Sequence, residues 1–565
     1  MPEEFQRTRE QSDFIRDAST EIVLLACPGS GKTDSAIQRF VDRCKANPRR
    51  GTAYLSYTNV AVDEALKRAQ QLSAADVSGY PNLIATIDGF FRTEVFDSFI
   101  GAMLRNAPTQ VQIIPERAPF PPEVSADSAF DISGIRAPTS GKQFGRPLKA
   151  WEAHLVLDET GNSYWYKDDA DQSKRIDAAR NDEIVQAKEK YLMRGCATFN
   201  DILSFSCRLL KSESLRVAEI TAARFREILV DEAQDTSALQ QSMLAILAKH
   251  GTAISYIGDV KQGIYLFSGA NPKYLDELIS TGHKALNLTR NFRSVEQIVR
   301  VVNSHFSTAM VNERETAEGC GAYIAVGGWE DCESRFRAML ARCGIQPTSA
   351  AVLVRNRSQL GNVLRRVTTD GWSMAPRHAL SAWRNERSGS FEHALEAALR
   401  LLRAVVDEAW EGLEDEGVSG RLAWKCLRTY CPEPTDKETP QQWGERLKSG
   451  LERFITDTGL PRHKNFGIRV SAAKLPAKGN AKKKFSFAPL SIRSSVIHQV
   501  KGETIRAVLV VAPADQHDTW LANANKEESN ICYVAFTRAA DLLVLQCDDE
   551  QHAVEWRKRG FADLP

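Results

Sequence analysis

The run Ile22-Val-Leu-Leu-Ala-Cys-Pro-Gly-Ser-Gly-Lys-Thr33 constrains this chain more than any other stretch. Ile22 to Ala26 read as a buried strand, and Cys27, Pro28, Gly29, Ser30 and Gly31 read as a turn. Two glycines so spaced let the backbone curl until successive N–H groups face one anion. Lys32 then adds a point charge for β- and γ-phosphates, and the Thr33 hydroxyl is placed for magnesium. Beyond the turn, Ala36, Ile37, Phe40, Val41 and Cys44 recur on one helical face and the pattern stops before Pro48. The loop therefore lies at a helix N-terminus, where a polyphosphate is favoured. Ala26 stands where the strict form of the pattern has glycine, and the bland alternative is a Gly-rich strand-to-helix turn.

The same rhythm recurs along the chain. Thr52-Ala-Tyr-Leu-Ser-Tyr-Thr-Asn predicts a strand that ends in small polar residues and enters a helix from Val62 to Leu72. Leu83 to Ile87 predicts another, ending at Asp88-Gly89 before Phe90 and Phe91. Alternating strands and helices are the mark of a parallel sheet with right-handed crossovers, whose strand ends form the binding edge. Tyr57 at such an end is a candidate to stack a base, or simply packs. Glu227-Ile-Leu-Val230 delivers Asp231 and Glu232, one acid to hold a metal and one to orient water; the alternative is an acidic cap. Ile254 to Gly258 is a further strand with Asp259 at its tip. After it, Gln262 is placed to feel a γ-phosphate, and Tyr265 and Phe267 follow, Phe267 to touch a base. Upstream, Gln11 precedes the first strand by about a helix length. Its amide can meet both a donor and an acceptor on adenine, unless the segment is only an exposed helix.

At 565 residues and 43% hydrophobic composition the chain can bury several cores, and three or four domains are expected. The net charge of +1 neither favours nor excludes nucleic acid. Eleven cysteines without metal-ligand spacing fit a reducing, cytosolic setting; Cys320, Cys332 and Cys343 are the loosest of clusters. No apolar run reaches membrane-spanning length, so no membrane partner is expected. Residues 92–195 are rich in proline and predict an inserted subdomain, with a hairpin about Glu159-Thr-Gly-Asn and a charged helix from about Asp177 to Leu192. Second-half strands are expected at Leu286–Thr289, Ala322–Val326, Ala351–Arg355, Ala507–Val511 and Leu542–Gln546. Residues 361–490 predict a helical insertion, with helices Phe391–Val406 and Trp443–Phe454 and turns at Gly417-Val-Ser-Gly and Cys431-Pro-Glu-Pro. Lys478, Lys482, Lys483 and Lys484 form a basic run that reads as a solvated loop or a DNA contact.

Taken in order, Gln11, Ala26 to Thr33, Tyr57-Thr58-Asn59, Thr86-Ile-Asp-Gly-Phe, Val230-Asp-Glu-Ala-Gln-Asp, Gly258-Asp-Val-Lys-Gln-Gly-Ile-Tyr, Asn291-Phe-Arg-Ser, His498-Gln-Val-Lys-Gly-Glu and Tyr533-Val-Ala-Phe-Thr-Arg-Ala resemble the motifs of superfamily 1 DNA helicases of the UvrD/Rep type. The resemblance implies an α/β fold of two RecA-like parallel-sheet motor domains, each with an inserted subdomain. The first would be 1–91 plus 196–274, interrupted by 92–195; the second 275–360 plus 491–565, interrupted by 361–490. It also implies ATP and Mg2+ as cofactors and single-stranded and tailed duplex DNA as partner, with movement 3′ to 5′. Lys32 and Thr33 would hold phosphate and magnesium, Asp231 the metal, Glu232 the attacking water, and Gln262 the γ-phosphate. Arg293 and Arg538 would be arginine fingers, Phe292 would stack on adenine, and Glu503 would meet the sugar. Tyr57, Thr58, Asn59, Thr86, Tyr265, Phe267 and His498 would face DNA. Departures from the pattern are Asp34, where a basic residue usually meets the base; Glu503-Thr504, where the carboxylate comes one residue early; and Ala540-Asp541. A DNA-sensing, nucleotide-switched regulatory subunit of a nuclease or defence complex is the competing expectation. Little chain follows Arg538 in which to place a nuclease domain, so a nuclease would be a separate partner.

Overall fold

The computed structural model describes residues 7–73, 77, 79–104, 108, 111–114, 122–125, 127–137, 146–158, 161–167, 173–264, 271, 273–314, 320–356, 359, 373–387, 391–407, 410, 413, 416–435, 438–472 and 492–565. Tyr265, Phe267 and Lys478 to Lys484 lie outside them. The chain divides into two compact units. The first comprises Met1–Arg293, Thr308–Arg314 and Asn525–Tyr533; the second comprises Ser294–Ser307, Glu315–Ala524 and Val534–Pro565.

The first unit is built on a six-stranded sheet, all of whose pairings are parallel. Its strands are β1 (Glu21–Ala26), β2 (Gly51–Ser56), β3 (Leu83–Thr86), β4 (Phe225–Val230), β5 (Ala253–Gly258) and β6 (Lys284–Leu288), in the order β6-β1-β5-β4-β2-β3. Residues buried on both faces make β2 a continuous run, as expected of a strand covered by helices on either side. Register decides what this sheet can do. Leu25 pairs with Gly258, Ala26 with Leu288, Val230 with both Leu55 and Tyr256, and Ser56 with Thr86. The strands thus end along one line, and whatever follows each of them in sequence meets at one edge.

The helix Lys32–Ala46 buries Ala36, Ile37, Phe40, Val41 and Cys44, the face expected from their spacing. It is pinned by Arg39, a fully buried guanidinium that donates to Glu227 Oε1 of β4 (2.7 Å) and to the carbonyls of Phe14 (2.7 Å) and Asp17 (2.8 Å) on the N-terminal helix Arg9–Arg16 and its cap. One side chain so joins two helices and the sheet.

Two expectations are corrected here. Chain order places Leu286–Thr289 in the second motor, but β6 pairs with β1 in the first sheet. Strand spacing alone carries no information about which sheet edge a strand joins. The turn expected at Gly417-Val-Ser-Gly is instead the start of the helix Glu416–Lys425. Burial of Ala423 and the neighbouring Cys426 and Leu427 in the helical core outweighs the low helix propensity of the two glycines. Elsewhere in 92–195, His154–Asp158 and Gly161–Lys167 pair antiparallel as the expected hairpin, joined by a third strand, Ser173–Arg175.

The second unit has its own six-stranded parallel sheet: β7 (Gly321–Val326), β8 (Ala350–Val354), β9 (Arg493–Val496), β10 (Ile505–Val511), β11 (Ala539–Cys547) and β12 (Ala562–Asp563), ordered β9-β8-β10-β11-β7-β12. Central β11 is buried along its whole length. The helices Phe391–Val405 and Pro440–Thr458 pack a separate core in which Trp443, Leu447, Leu451 and Phe454 repeat at helical spacing. Among the described residues no helix is long and apolar enough to cross a membrane.

Removing Arg39 would leave Glu227 buried with part of its charge uncompensated. Arg39→Met is expected to lower the stability of the first unit by about 3–5 kcal/mol, read as a drop in the urea midpoint of the full chain.

Candidate nucleotide and metal site

Each functional side chain of the first unit reaches the site because its strand stops there. After β1 the loop turns through Gly29 and Gly31, both in the left-handed region at φ 71° and 75°. Lys32 and Thr33 open the following helix. After β4 come Asp231 and Glu232, after β5 Asp259 and, one turn later, Gln262.

The Lys32 ammonium forms ion pairs with Glu232 Oε1 and with Asp231 Oδ1 (3.3 Å). Burial works against its charge, yet the two carboxylates outweigh that and hold it above the ordinary lysine pKa. Thr33 Oγ1 donates to Asp231 Oδ2 at 3.2 Å. Metal–oxygen bonds of about 2.0–2.1 Å at right angles put neighbouring oxygen ligands about 2.9 Å apart, so this hydroxyl and this carboxylate fit a magnesium ion. Among the described residues no other cluster of His, Cys, Asp and Glu fits a metal.

Glu232 adopts a left-handed backbone at φ 54°, an uncommon state for a side-chain-bearing residue and a frequent one at functional sites. Its second oxygen accepts from Gln234 Nε2 at 2.5 Å, and Gln234 Oε1 in turn accepts from the Asp259 N–H at 3.1 Å. Gln262 Nε2 donates to Asp259 Oδ2 at 2.8 Å, and the Tyr533 hydroxyl donates to the same oxygen at 3.1 Å. Burial raises the Asp259 carboxyl above its ordinary range, against the pull of Gln262, the Lys261 N–H, Lys32 and Tyr533. A polar chain therefore runs from the sensor position Gln262 through Asp259 and Gln234 to Glu232. Within the loop, burial together with Asp259 and Glu10 pushes the Cys27 thiol up to about 12, which leaves it neutral beside an anion.

Because β6 lies beside β1, the residues after it run straight past the loop. Cys27 N–H donates to Leu288 O (2.9 Å), Asn291 Nδ2 to Pro28 O (2.7 Å), and Phe292 N–H to Gly29 O (2.9 Å). A Cβ on Gly29 would sit 2.4 Å from Arg293 Cβ. Glycine is thus required there twice over, by backbone conformation and by the closeness of Arg293.

Residues 7–282 match the family described as UvrD/REP helicase N-terminal domain. This part of the chain belongs to that family. The UvrD/REP domain here is similar to stretches of three proteins, each named as one of the subunits of an ATP-dependent helicase/nuclease. The one from Carboxydothermus hydrogenoformans is 37% identical over 128 residues, 22% of this chain and 10% of that protein. The one from Thermoanaerobacter pseudethanolicus is 34% identical over 138 residues, 22% and 11%. The one from Streptococcus thermophilus is 33% identical over 139 residues, 24% and 11%. The matched stretches thus span about a tenth of the length of these curated relatives.

On the flank of the UvrD/REP domain, a cavity of 820 Å³ is lined by Arg7, Gln11, Gly31, Asp34, Gln38 and Arg68, among others. Gln11 uses one end of its amide to accept from Thr8 N–H (3.0 Å) and the other to donate to Ser30 O (2.9 Å). One lone pair and one N–H of the amide are still available to a base. Asp34, which departs from the basic residue of the pattern, accepts from Arg68 Nε at 2.8 Å. A guanidinium from the helix Asn59–Leu72 therefore stands at the wall where the sequence pattern led one to look for a cation at 34.

At the DNA-facing positions of the UvrD/REP domain, Thr58 and Thr86 cap helices with their hydroxyls, to Ala61 N (3.2 Å) and Gly89 N (3.0 Å). Asn59 is exposed and Tyr57 half-buried. His498, Glu503 and Arg538 belong to the second unit. Glu503 pairs with Arg493, and buried Arg538 donates to Val534 O (3.1 Å), Glu503 O (3.1 Å) and Thr537 Oγ1 (3.2 Å). Sequence reasoning missed Tyr54, Gln234 and Arg68. Gln234 lay inside the quoted Asp231–Asp235 motif and could have been found; Tyr54 and Arg68 sat in ordinary strand and helix patterns.

Gly29→Ala is expected to weaken binding of a fluorescent ATP analogue by about tenfold or more, since the new methyl must displace Arg293 or the loop. The same substitution at Gly420, where a Cβ would meet nothing within 4 Å, leaves that binding unchanged in the same titration.

Proposed function

We propose that this chain is an ATP-dependent DNA helicase or translocase that moves on single-stranded DNA, 3′ to 5′ by resemblance, driven by DNA-stimulated ATP hydrolysis. The observation that carries this reading is the meeting of Lys32, Thr33, Asp231, Glu232 and Gln262 at one sheet edge. Two RecA-like motors, with 92–195 and 361–490 as insertions, remain the proposed division, with β6 counted in the first.

Lys32 is the element that must move. In its present pairing it masks Glu232, so the base that would orient and deprotonate water is tied up until phosphate oxygens draw the ammonium away. Such a contact suppresses hydrolysis until triphosphate arrives. Magnesium, when bound through Thr33 and Asp231, would supply charge neutralisation at the β- and γ-phosphates. Gln262 would report the γ-phosphate through Asp259 and Gln234 to Glu232, whose carboxylate shares that hydrogen-bond chain. Arg293 and Arg538 are proposed to offset charge developing on the transferred phosphoryl group, a role worth on the order of 10³ to 10⁵ in rate. The cavity beside Gly31 is the proposed base pocket, with Gln11 supplying the directional hydrogen bonds and Phe292 a stacking face.

DNA would lie across the strand ends carrying Tyr57, Thr58, Asn59 and Thr86, and the relatives' names motivate a nuclease as protein partner.

Lys32→Ala is expected to lower DNA-stimulated hydrolysis by roughly a hundredfold or more while leaving single-stranded DNA binding measurable by fluorescence anisotropy; retained turnover sinks the assignment. On a 3′-tailed duplex the wild-type chain should displace the strand with ATP. DNA-stimulated hydrolysis without displacement would favour the regulatory role instead. Gln11→Ala should narrow the preference for ATP over GTP in the same assay, since it removes the amide that reads the base.

A further inference from the structure

The Asp231 carboxylate is held by four donors, which is all that its lone pairs can accept. On Oδ1 these are the Glu232 N–H (2.9 Å) and the Lys32 ammonium (3.3 Å); on Oδ2 they are the Thr33 hydroxyl (3.2 Å) and the Tyr54 hydroxyl (2.6 Å). The four are not alike. Lys32 sits on a flexible stem, and the Thr33 hydroxyl turns with its side chain. The Glu232 N–H is backbone, and Tyr54 is fixed in the middle of β2, fully buried, with its ring edge-on to Phe40 at a centroid distance of 6.4 Å. Binding of Mg·ATP withdraws the two movable donors, Lys32 to phosphate and Thr33 to the metal. The two immovable ones stay, one on each carboxylate oxygen.

The tyrosine hydroxyl is not needed to fill the core. Its ring alone occupies the space between β2 and the helix Lys32–Ala46, and a buried hydroxyl costs stability unless it finds an acceptor. The acceptor it finds is Asp231, on the neighbouring strand's extension, at the shortest of the four distances.

Resting on the reading of Asp231 as the metal ligand, we propose that Tyr54 is a positioning residue for magnesium, holding the Asp231 carboxylate so that the lone pairs vacated by Thr33 and Lys32 face the ion. Partners behind a ligating carboxylate fix its rotation before the metal arrives, and their loss commonly weakens metal affinity about 10- to 100-fold.

The test uses the full chain with Mn2+ as the probe, titrated in the presence of ADP and followed by water-proton relaxation. Tyr54→Phe keeps the ring and removes only the hydroxyl; it is expected to raise the apparent Kd for Mn2+ about tenfold or more, with an unchanged Tm and a parallel rise in the Mg2+ concentration that half-saturates ATP hydrolysis. Phe40→Leu disturbs the packing of the same ring without touching its hydroxyl, and should leave the Mn2+ titration within about twofold of wild type. An unchanged Mn2+ affinity in Tyr54→Phe, or an equal loss in Phe40→Leu, overturns the role given to the hydroxyl while leaving the ATPase reading intact. Absence of ADP-dependent Mn2+ binding in the wild-type chain overturns both.

Discussion

A buried ammonium lying between two carboxylates is the interaction on which the site depends. Lys32, Asp231 and Glu232 come from separate strands that are far apart in sequence, and only in-register parallel pairing brings their ends to one line. Three charges out of water are costly unless they satisfy one another. They do so here, and the arrangement is neutralised without being inert, because the lysine is the one member with a flexible stem and a better partner to go to when a polyphosphate arrives. The left-handed Glu232 and the bridging Gln234 belong to the same economy of strain: both aim the carboxylate at a position that matters only when phosphate is there.

The loop that carries Lys32 is shaped as much by what packs on it as by its own glycines. β6 delivers Asn291, Phe292 and Arg293 against Pro28 and Gly29, so the two left-handed glycines answer to a close backbone neighbour as well as to an anion. On the opposite side of the loop, the salt bridge between Asp34 and Arg68 turns an apparent loss of positive charge into a relocation of it.

Much of this was legible in the sequence. Motifs that follow apolar strands announce their own place at the strand ends, and the helical face from Ala36 to Cys44 is buried as its period requires. The acids at 231 and 232 and the glutamine at 262 lie where spacing put them. What escaped was set by tertiary partners. A strand such as Lys284–Leu288 carries no mark of the sheet edge it will join. Gly417 and Gly420 read locally as turn residues, yet they sit in a helix because Ala423, Cys426 and Leu427 have a core to fill. Tyr54 reads as one more aromatic in a buried strand; only the structure shows that its hydroxyl lands on Asp231.

The N-terminal helix closes a loop of contacts that has mechanical meaning. Glu10 accepts from both the N–H (2.8 Å) and the hydroxyl (2.7 Å) of Thr289, Gln11 holds Ser30, and Asn291 holds Pro28. Helix, phosphate loop and the strand extension that leads to Arg293 are thereby linked as a ring of three members, each tied to the other two. A ring cannot yield at one joint alone. A pull on the arginine segment is felt by the glutamine beside the base cavity through a few short bonds rather than through the sheet, so that recognition of the two ends of a nucleotide is geared together.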